Sequence, residues 1–321
     1  MLTEQESESL NQLFTEMLEH VSDADLRESM GHLLWAGGKR LRPALLIYTY
    51  KAFNGDDSLR CMPSAAALEL VHTWSLVHDD IMDNGDKRRG IETVNKKYGD
   101  DTAILAGDGL MALVTYTITK AGDEPVKGRE ILNELMRACL TLIEGQTKDM
   151  GLSKLPAFSE DAYIDMISRK TGALIETSCV LGGLMADLDT EKLETCRRFG
   201  AALGLAFQLK DDLLDLTGTA AFGKEIGKDI REGKKTLIVL HCLANGTVKD
   251  VDTLRAALDS PQDASVDEIR EILRRNGSID YVDGKMRAYA REALDHLNKF
   301  PDAPYREKLR ELTQYIMDRE K

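Results

Sequence analysis

Two short aspartate runs carry the most chemical information in this sequence: Asp79-Asp80-Ile81-Met82-Asp83 and Asp211-Asp212-Leu213-Leu214-Asp215. On a helix, Asp79 and Asp83 stand at i and i+4, and so do Asp211 and Asp215, so each pair shares one face. Carboxylates this close repel each other unless a cation or a proton intervenes. Oxygen-only ligation suits Mg2+, which binds through a few carboxylates together with substrate phosphates. Apolar residues precede and interrupt each run (Leu76, Val77, Ile81; Leu209, Leu213, Leu214). Each run is therefore expected at a helix end bordering a cavity. A pair of solvated helix ends is the plainer alternative, and the repetition of the pattern counts against it.

Basic residues accompany the acids. Gly37-Gly38-Lys39-Arg40-Leu41-Arg42-Pro43 sets three cations beside two glycines. Flexible backbone with Lys as a point charge and Arg as a planar fork makes an oxyanion cradle. Lys87-Arg88-Arg89-Gly90 follows the first aspartate run, and Gly223-Lys224 and Gly233-Lys234-Lys235 follow the second. Taken singly, each is an ordinary surface cation; the repeated pairing is what suits a diphosphate shared by metal and cations. His72 lies seven residues before Asp79, nearly two turns, and so on the same face. His78 has no such support and reads as structural.

Helices must position these groups. Residues 64–83 read as one helix, with Ser64 as its cap after Pro63. Helical spacing also covers 102–121, 128–150, 160–186, 191–217 and 234–245. Ser265 and Glu268 form a capping-box pattern, Asn276-Gly277 ends that helix, and Ser278 suits the next cap. Breaks fall at 54–57, 122–125, 151–156, 218–233 and 260–265. The reading is an all-α, single-domain bundle over 1–321, with a charged stretch after about 245 as a peripheral helical layer.

Composition narrows the function class. The net charge of -13 over 321 residues argues against general nucleic-acid binding and docking on anionic lipid. Five scattered cysteines without a CxxC pair argue against a disulfide framework or zinc site and favour a reducing, cytoplasmic setting. The polar, acidic N-terminus does not read as a targeting peptide. The longest apolar stretch, 102–119, is interrupted by Asp108 and two glycines, and no membrane span is expected.

At these motifs the chain resembles the trans-isoprenyl diphosphate synthases, or polyprenyl synthetases. The ordered matches are GGKRLRP at 37–43, ELVHTWSLVHDDIMD at 69–83, KRRG at 87–90, LAGDGLMA at 105–112, EGQ at 144–146, KTG at 170–172, FQLKDDLLD at 207–215, GK at 223–224 and GKKT at 233–236. The resemblance implies an enzyme with an all-α fold around a central cavity, working as a homodimer. It implies isopentenyl diphosphate held by Lys39, Arg42, His72 and Arg89. It implies an allylic diphosphate held by Arg88, Lys170, Thr171, Gln208, Lys224 and Lys234, with Lys170, Thr171 and Gln208 lining the region where the allylic cation forms. Magnesium would be carried by Asp79, Asp83 and Asp211, supported by Asp80, Asp212 and Asp215. Asp108 and Gln146, in family motifs, are expected to make no more than a buried polar contact.

The family further implies a chain-length role for the fifth residue before the first aspartate, here Trp74, with the small Ser75 beside it. That combination resembles archaeal-type geranylgeranyl synthases and implies a C20 product, with C15 as the alternative. On an ideal wheel, at about 100° per residue, Trp74 sits about 140° from Asp79, which also allows a plain core role. A class I terpene cyclase is a rival reading, but its second metal motif usually mixes Asn/Asp, Ser/Thr and Glu, unlike DDLLD, and it has no need of the GGKRLRP cradle. A non-catalytic regulatory subunit would tend to lose aspartates or basic residues, and both sets are present.

Overall fold

A computed structural model describes residues 1–54, 59–120, 125–218, 227–301 and 304–319. Lys224, expected to hold a diphosphate, lies outside the described residues. In chain order the helices are α1 (Glu4–Leu18), α2 (Ala24–Trp35), α3 (Leu41–Asn54) and α4 (Met62–Met82). Then come a two-residue antiparallel ribbon of β1 (Lys87–Arg88) and β2 (Ile91–Glu92), α5 (Val94–Tyr98), α6 (Asp100–Lys120), α7 (Pro125–Leu152) and α8 (Glu160–Ile167). A π-helical turn, Ser168–Gly172, leads to α9 (Ala173–Met185) and α10 (Thr190–Thr217). The chain closes with α11 (Lys228–Arg231), α12 (Leu237–Asn245), α13 (Val248–Asp259), α14 (Val266–Arg275), α15 (Ser278–Leu297) and α16 (Pro304–Asp318). The all-α expectation holds.

Two compact units emerge. The first comprises Met1–Cys139, Thr177–Arg197 and Phe300–Leu309; the second comprises Leu140–Glu176, Arg198–Lys299 and Arg310–Lys321. In the first unit, α4 packs on α1, α2, α3 and α6. It is buried on every side over Ala65–Val71, where all residues but Glu69 are apolar. In the second, Leu209 and Leu213 of α10 share a buried cluster with Leu237–Leu240 of α12, Ile269 and Ile272 of α14 and Met286 of α15. The stretch after 245 therefore supplies core residues and is not merely a peripheral layer.

Several local expectations are corrected. α4 starts at Met62, not at Ser64: Pro63 sits in its first turn, and Cys61 caps it without a side-chain bond. A proline is tolerated there because the first-turn N–H groups lack partners anyway. Ser64 is instead buried, its hydroxyl on Met185 Sδ at 3.8 Å. The single helix expected over 160–186 is divided by the π-helical turn. α12 begins at Leu237, so Lys234 and Lys235 stand in the preceding loop. Ser265 caps α14 through the Glu268 N–H, whereas α15 is capped by Gly277 in the left-handed region and Ser278 is buried inside it.

α6 over Asp100–Thr119 is long and apolar enough to cross a membrane by length and composition. Yet Ala103, Ala106, Leu110 and Val114 are buried and the helix packs on α4, as a core helix does. The cysteines are all free and buried. Burial pushes the Cys139 and Cys196 thiols up to about 12, so neither is a nucleophile near neutrality.

Candidate active site

In the first unit, the chemistry gathers at the C-terminal end of α4, the loop before α3 and the β1–β2 ribbon. Asp80, 2% exposed, receives Arg88 Nε at 2.8 Å on both of its carboxylate oxygens, and Arg88 Nη2 at 2.7 Å. Burial pulls the Arg88 pKa down, but the Asp80 bond and the charges of Asp79 and Asp83 outweigh it and hold it above its ordinary value. Asp80 thus positions a cation as well as adding charge beside Asp79. Asp83 caps the helix and is exposed.

Arg42 Nη1 lies 3.1 Å from His72 Nε2. A guanidinium only donates, so Nε2 accepts and the imidazole proton sits on Nδ1. Burial, then the charges of Arg42 and Arg89, depress the His72 pKa well below the usual histidine range. The ring is therefore a neutral Nδ1–H donor. Lys39 is exposed in the loop between α2 and α3. Arg89 donates Nη1 to the carbonyls of Leu33 (3.1 Å) and Gly37 (2.5 Å). Glu69 was not singled out in the sequence, yet it takes Arg40 at 2.5 Å and lies 3.8 Å from Arg89.

Trp74 belongs to a different stripe of α4. Its ring meets His78 edge-on at 5.7 Å, and His78 lies over Gly107 of α6, where a Cβ would come within 2.1 Å of His78 Nε2. Gly109 is also close, a Cβ there coming within 2.7 Å of Met30 Sδ. The LAGDG motif thus works through its glycines, which let α6 approach α4 and α2. Asp108 between them is exposed, so the expected buried contact does not exist for it; Gln146 is buried, at 7% exposure.

In the second unit, hydrogen bonds join the predicted residues into a chain. Thr171 Oγ1 donates to Gln208 Oε1 (2.7 Å), Gln208 Nε2 donates to Asp212 Oδ1 (2.9 Å), and Tyr163 donates to Asp212 Oδ2 (2.5 Å). Lys170 pairs with Asp149 at 2.6 Å. Lys170 and Thr171 project from the π-helical turn, which glycines make possible. A Cβ on Gly145 would meet Lys170 N at 2.3 Å, and one on Gly204 would meet Gly172 Cα at 2.7 Å. That gives the EGQ motif its physical purpose.

Burial, then the nearby Asp229, pushes Asp212 up to about 8, although Tyr163 and Gln208 pull the other way. The same two causes push Asp215 up to about 6 against its backbone N–H donors at 228 and 229. Lys234 reaches Glu232 at 2.7 Å and Asp229 at 3.6 Å. Asp211 is paired with Arg319 at 2.6 Å, and Arg319 also stacks over Phe207, 4.3 Å from the ring centre. Tyr163, Asp149, Asp229 and Arg319 carried no sequence signal, since each meets its partner from a remote or irregular segment.

The donor set can be tested against magnesium. Among the described residues no three acidic, His or Cys side chains converge into a ready-made cage. Burial nevertheless raises Asp212 to about 8 and Asp215 to about 6, and a nearby cation would favour the charged form of both. Oxygen donors on one face of a helix suit an ion that completes its shell with water and phosphate, so the residues fit it.

Comparison with known proteins supplies the wider setting. A profile of the polyprenyl synthetase family matches residues 23–275. The chain is 43% identical over 266 residues to a short chain isoprenyl diphosphate synthase of Methanocaldococcus jannaschii, covering 81% of this chain and 79% of that protein. The geranylgeranyl pyrophosphate synthetase structure from Pyrococcus horikoshii superposes with a TM-score of 0.92 at 35% identity, covering 98% and 96% of the two chains. A Caulobacter crescentus polyprenyl synthase, solved with calcium and isoprenyl diphosphate, gives a TM-score of 0.89 at 30% identity, covering 99% and 96%.

Proposed function

The chain belongs to the polyprenyl synthetase family, and within it we propose a magnesium-dependent trans-prenyltransferase that joins isopentenyl diphosphate to allylic diphosphates and stops at C20. One observation carries the reading. Both aspartate clusters are intact, and the side chains around them already hold donors and charges fitted to diphosphate: Arg88 on Asp80, neutral His72 on Arg42, and the Thr171–Gln208–Asp212 chain. A regulatory subunit would have no use for both.

Lys39, Arg42, His72 and Arg89 hold isopentenyl diphosphate. His72 offers its Nδ1–H to a phosphate oxygen, and the cations neutralise charge around it. Arg88, Lys170, Lys224 and Lys234 hold the allylic diphosphate. Asp79, Asp83 and Asp211 hold magnesium, with Asp80, Asp212 and Asp215 in support. Bound magnesium supplies Lewis-acid stabilisation of the leaving diphosphate. The cations do the same work, aimed where negative charge develops as the allylic C–O bond breaks. Thr171 and Gln208, locked by their mutual bond, present fixed dipoles to the allylic cation. The double bond of isopentenyl diphosphate attacks that cation, and the departed diphosphate takes the proton then lost. The exposed apolar Ile104 and Leu105 of α6 support a homodimer, and the free, buried cysteines support a cytoplasmic setting.

The decisive experiment incubates the protein with magnesium, isopentenyl diphosphate and dimethylallyl, geranyl or farnesyl diphosphate, then sizes the products. A C20 product is expected. The absence of condensation overturns the reading, and a C15 end point overturns the length. Trp74→Ala should lengthen the products with the fold retained. If the distribution stays the same while Tm falls, Trp74 is a core residue leaning on His78.

A further inference from the structure

Two basic residues of the first unit point inward, and both stand on unusual backbone. Arg40 has φ 46° and Arg89 has φ 54°, the left-handed region that strains a non-glycine residue. Such conformations persist only when the surroundings over-determine them. Here the surroundings are explicit. Arg40 donates Nη1 to Glu69 Oε1 at 2.5 Å and Nη2 to the Leu34 carbonyl at 2.5 Å, and its guanidinium lies 5.2 Å from the centre of the Phe14 ring. Arg89 Nη2 lies 3.8 Å from the same Glu69 oxygen, while its Nη1 is bonded to the Leu33 and Gly37 carbonyls. Glu69 is 2% exposed, on the central helix α4, one turn before His72. A side chain on Gly38 would run into the Arg89 guanidinium at 3.0 Å.

Arg40 is thus spent inside the protein, although it stands in the cation-rich loop between Lys39 and Arg42. Burial, opposed by Glu69 and reinforced by Arg40, pulls the Arg89 pKa down, so the carboxylate offsets a repulsion between two guanidiniums that share a small space. Without it, the loop 37–40 and the β1–β2 turn that carries Arg89 would lose the anchor common to both.

We propose that Glu69 is a positioning residue for the isopentenyl diphosphate subsite, tethering Arg40 and Arg89 so that Lys39, Arg42 and Arg89 present one preset anion cradle. Glu69 touches no substrate. It acts by fixing two strained residues and by setting the local charge, with Arg40 as the cation that neutralises it and Arg89 as the cation it aims. This rests on the functional reading above and deepens it by separating the cations that bind from the one that braces.

The test is steady-state kinetics with magnesium on Glu69→Gln, which keeps the volume and removes the charge. The KM for isopentenyl diphosphate should rise roughly tenfold or more, while the allylic KM and kcat change far less. Equal changes in both KM values, or none in an otherwise active variant, overturn the proposal. Glu69→Gln combined with Arg40→Met removes both members of the buried pair. A KM for isopentenyl diphosphate that stays raised supports aiming of Arg89; a return to the wild-type value overturns it, because Glu69 then only neutralises Arg40. If neither variant folds, Glu69 is a stability residue and the proposal falls. Wild-type turnover is the control: its absence sinks the reading of the reaction, whereas a normal KM in the variants sinks this inference alone.

Discussion

The two aspartate clusters share a sequence pattern and differ in how their charge is met. In the first, Asp80 is matched by a doubly bonded guanidinium from Arg88, and Arg40 and Arg89 share the buried Glu69. In the second, Asp212 is met only by the neutral donors Tyr163 and Gln208, and Asp215 by the backbone N–H groups of residues 228 and 229. In the second cluster burial and Asp229 raise Asp212 to about 8 and Asp215 to about 6, and Arg319 is drawn onto Asp211. A carboxylate with a permanent partner holds other residues in place; one without is available to an incoming cation. The same DDxxD pattern is therefore clasped by a guanidinium at its middle aspartate in one unit, and in the other meets neutral donors at Asp212 and a guanidinium only at Asp211.

The largest effects should come from removing ligands. Asp79→Ala and Asp211→Ala should each cut kcat roughly a thousandfold, with far-ultraviolet dichroism unchanged because neither side chain is core. Near-normal turnover in either variant breaks the assignment of that cluster to the metal. Chelation should abolish turnover in the wild type, and added magnesium should restore it.

Smaller effects should divide by substrate. Arg42→Ala should raise the KM for isopentenyl diphosphate roughly tenfold to a hundredfold, since it removes both a cation and the group that fixes the His72 tautomer. Lys234→Ala should raise the allylic KM by less, because this lysine is exposed and shared with Glu232 and Asp229. Indistinguishable shifts in both KM values for both variants would erase the distinction between two diphosphate subsites.

The finest discrimination is thermal. Asp212 moves from 3.8 to about 8 in the folded chain. A group whose pKa rises on folding contributes stability that is present below its unfolded pKa and lost as pH climbs through the folded one. Asp212→Asn has no such loss, so its metal-free Tm relative to wild type should rise by several degrees between about pH 4 and about pH 8. Magnesium should shrink that gap by stabilising the wild-type carboxylate. Asp80→Asn should instead lower Tm throughout that range, because it leaves the Arg88 guanidinium without its carboxylate. A pH-independent difference for Asp212→Asn would remove the contrast between the clusters.

Much of this was legible in the chain. Helical periodicity located α4, α6, α7 and α10, because long amphipathic or wholly apolar runs admit few other conformations. The i, i+4 aspartates and the Gly-Lys-Arg loop named the candidate chemistry, because local spacing alone fixes which side chains share a helix face. Other features waited for the tertiary structure. The π-helical turn that presents Lys170 and Thr171 depends on Gly145 and Gly204 admitting the backbone from other helices. The Asp80–Arg88 clasp depends on a two-residue ribbon too short to carry a period-two signal. Tyr163 on Asp212, Arg319 on Asp211 and Glu69 beneath Arg40 and Arg89 join residues between 20 and 108 positions apart. The sequence by itself nominated the side chains proposed to bind metal and diphosphate, because that is local chemistry. Which of them are already paired, and which still carry uncompensated charge, is set by burial and long-range contact, and only the folded chain decides it.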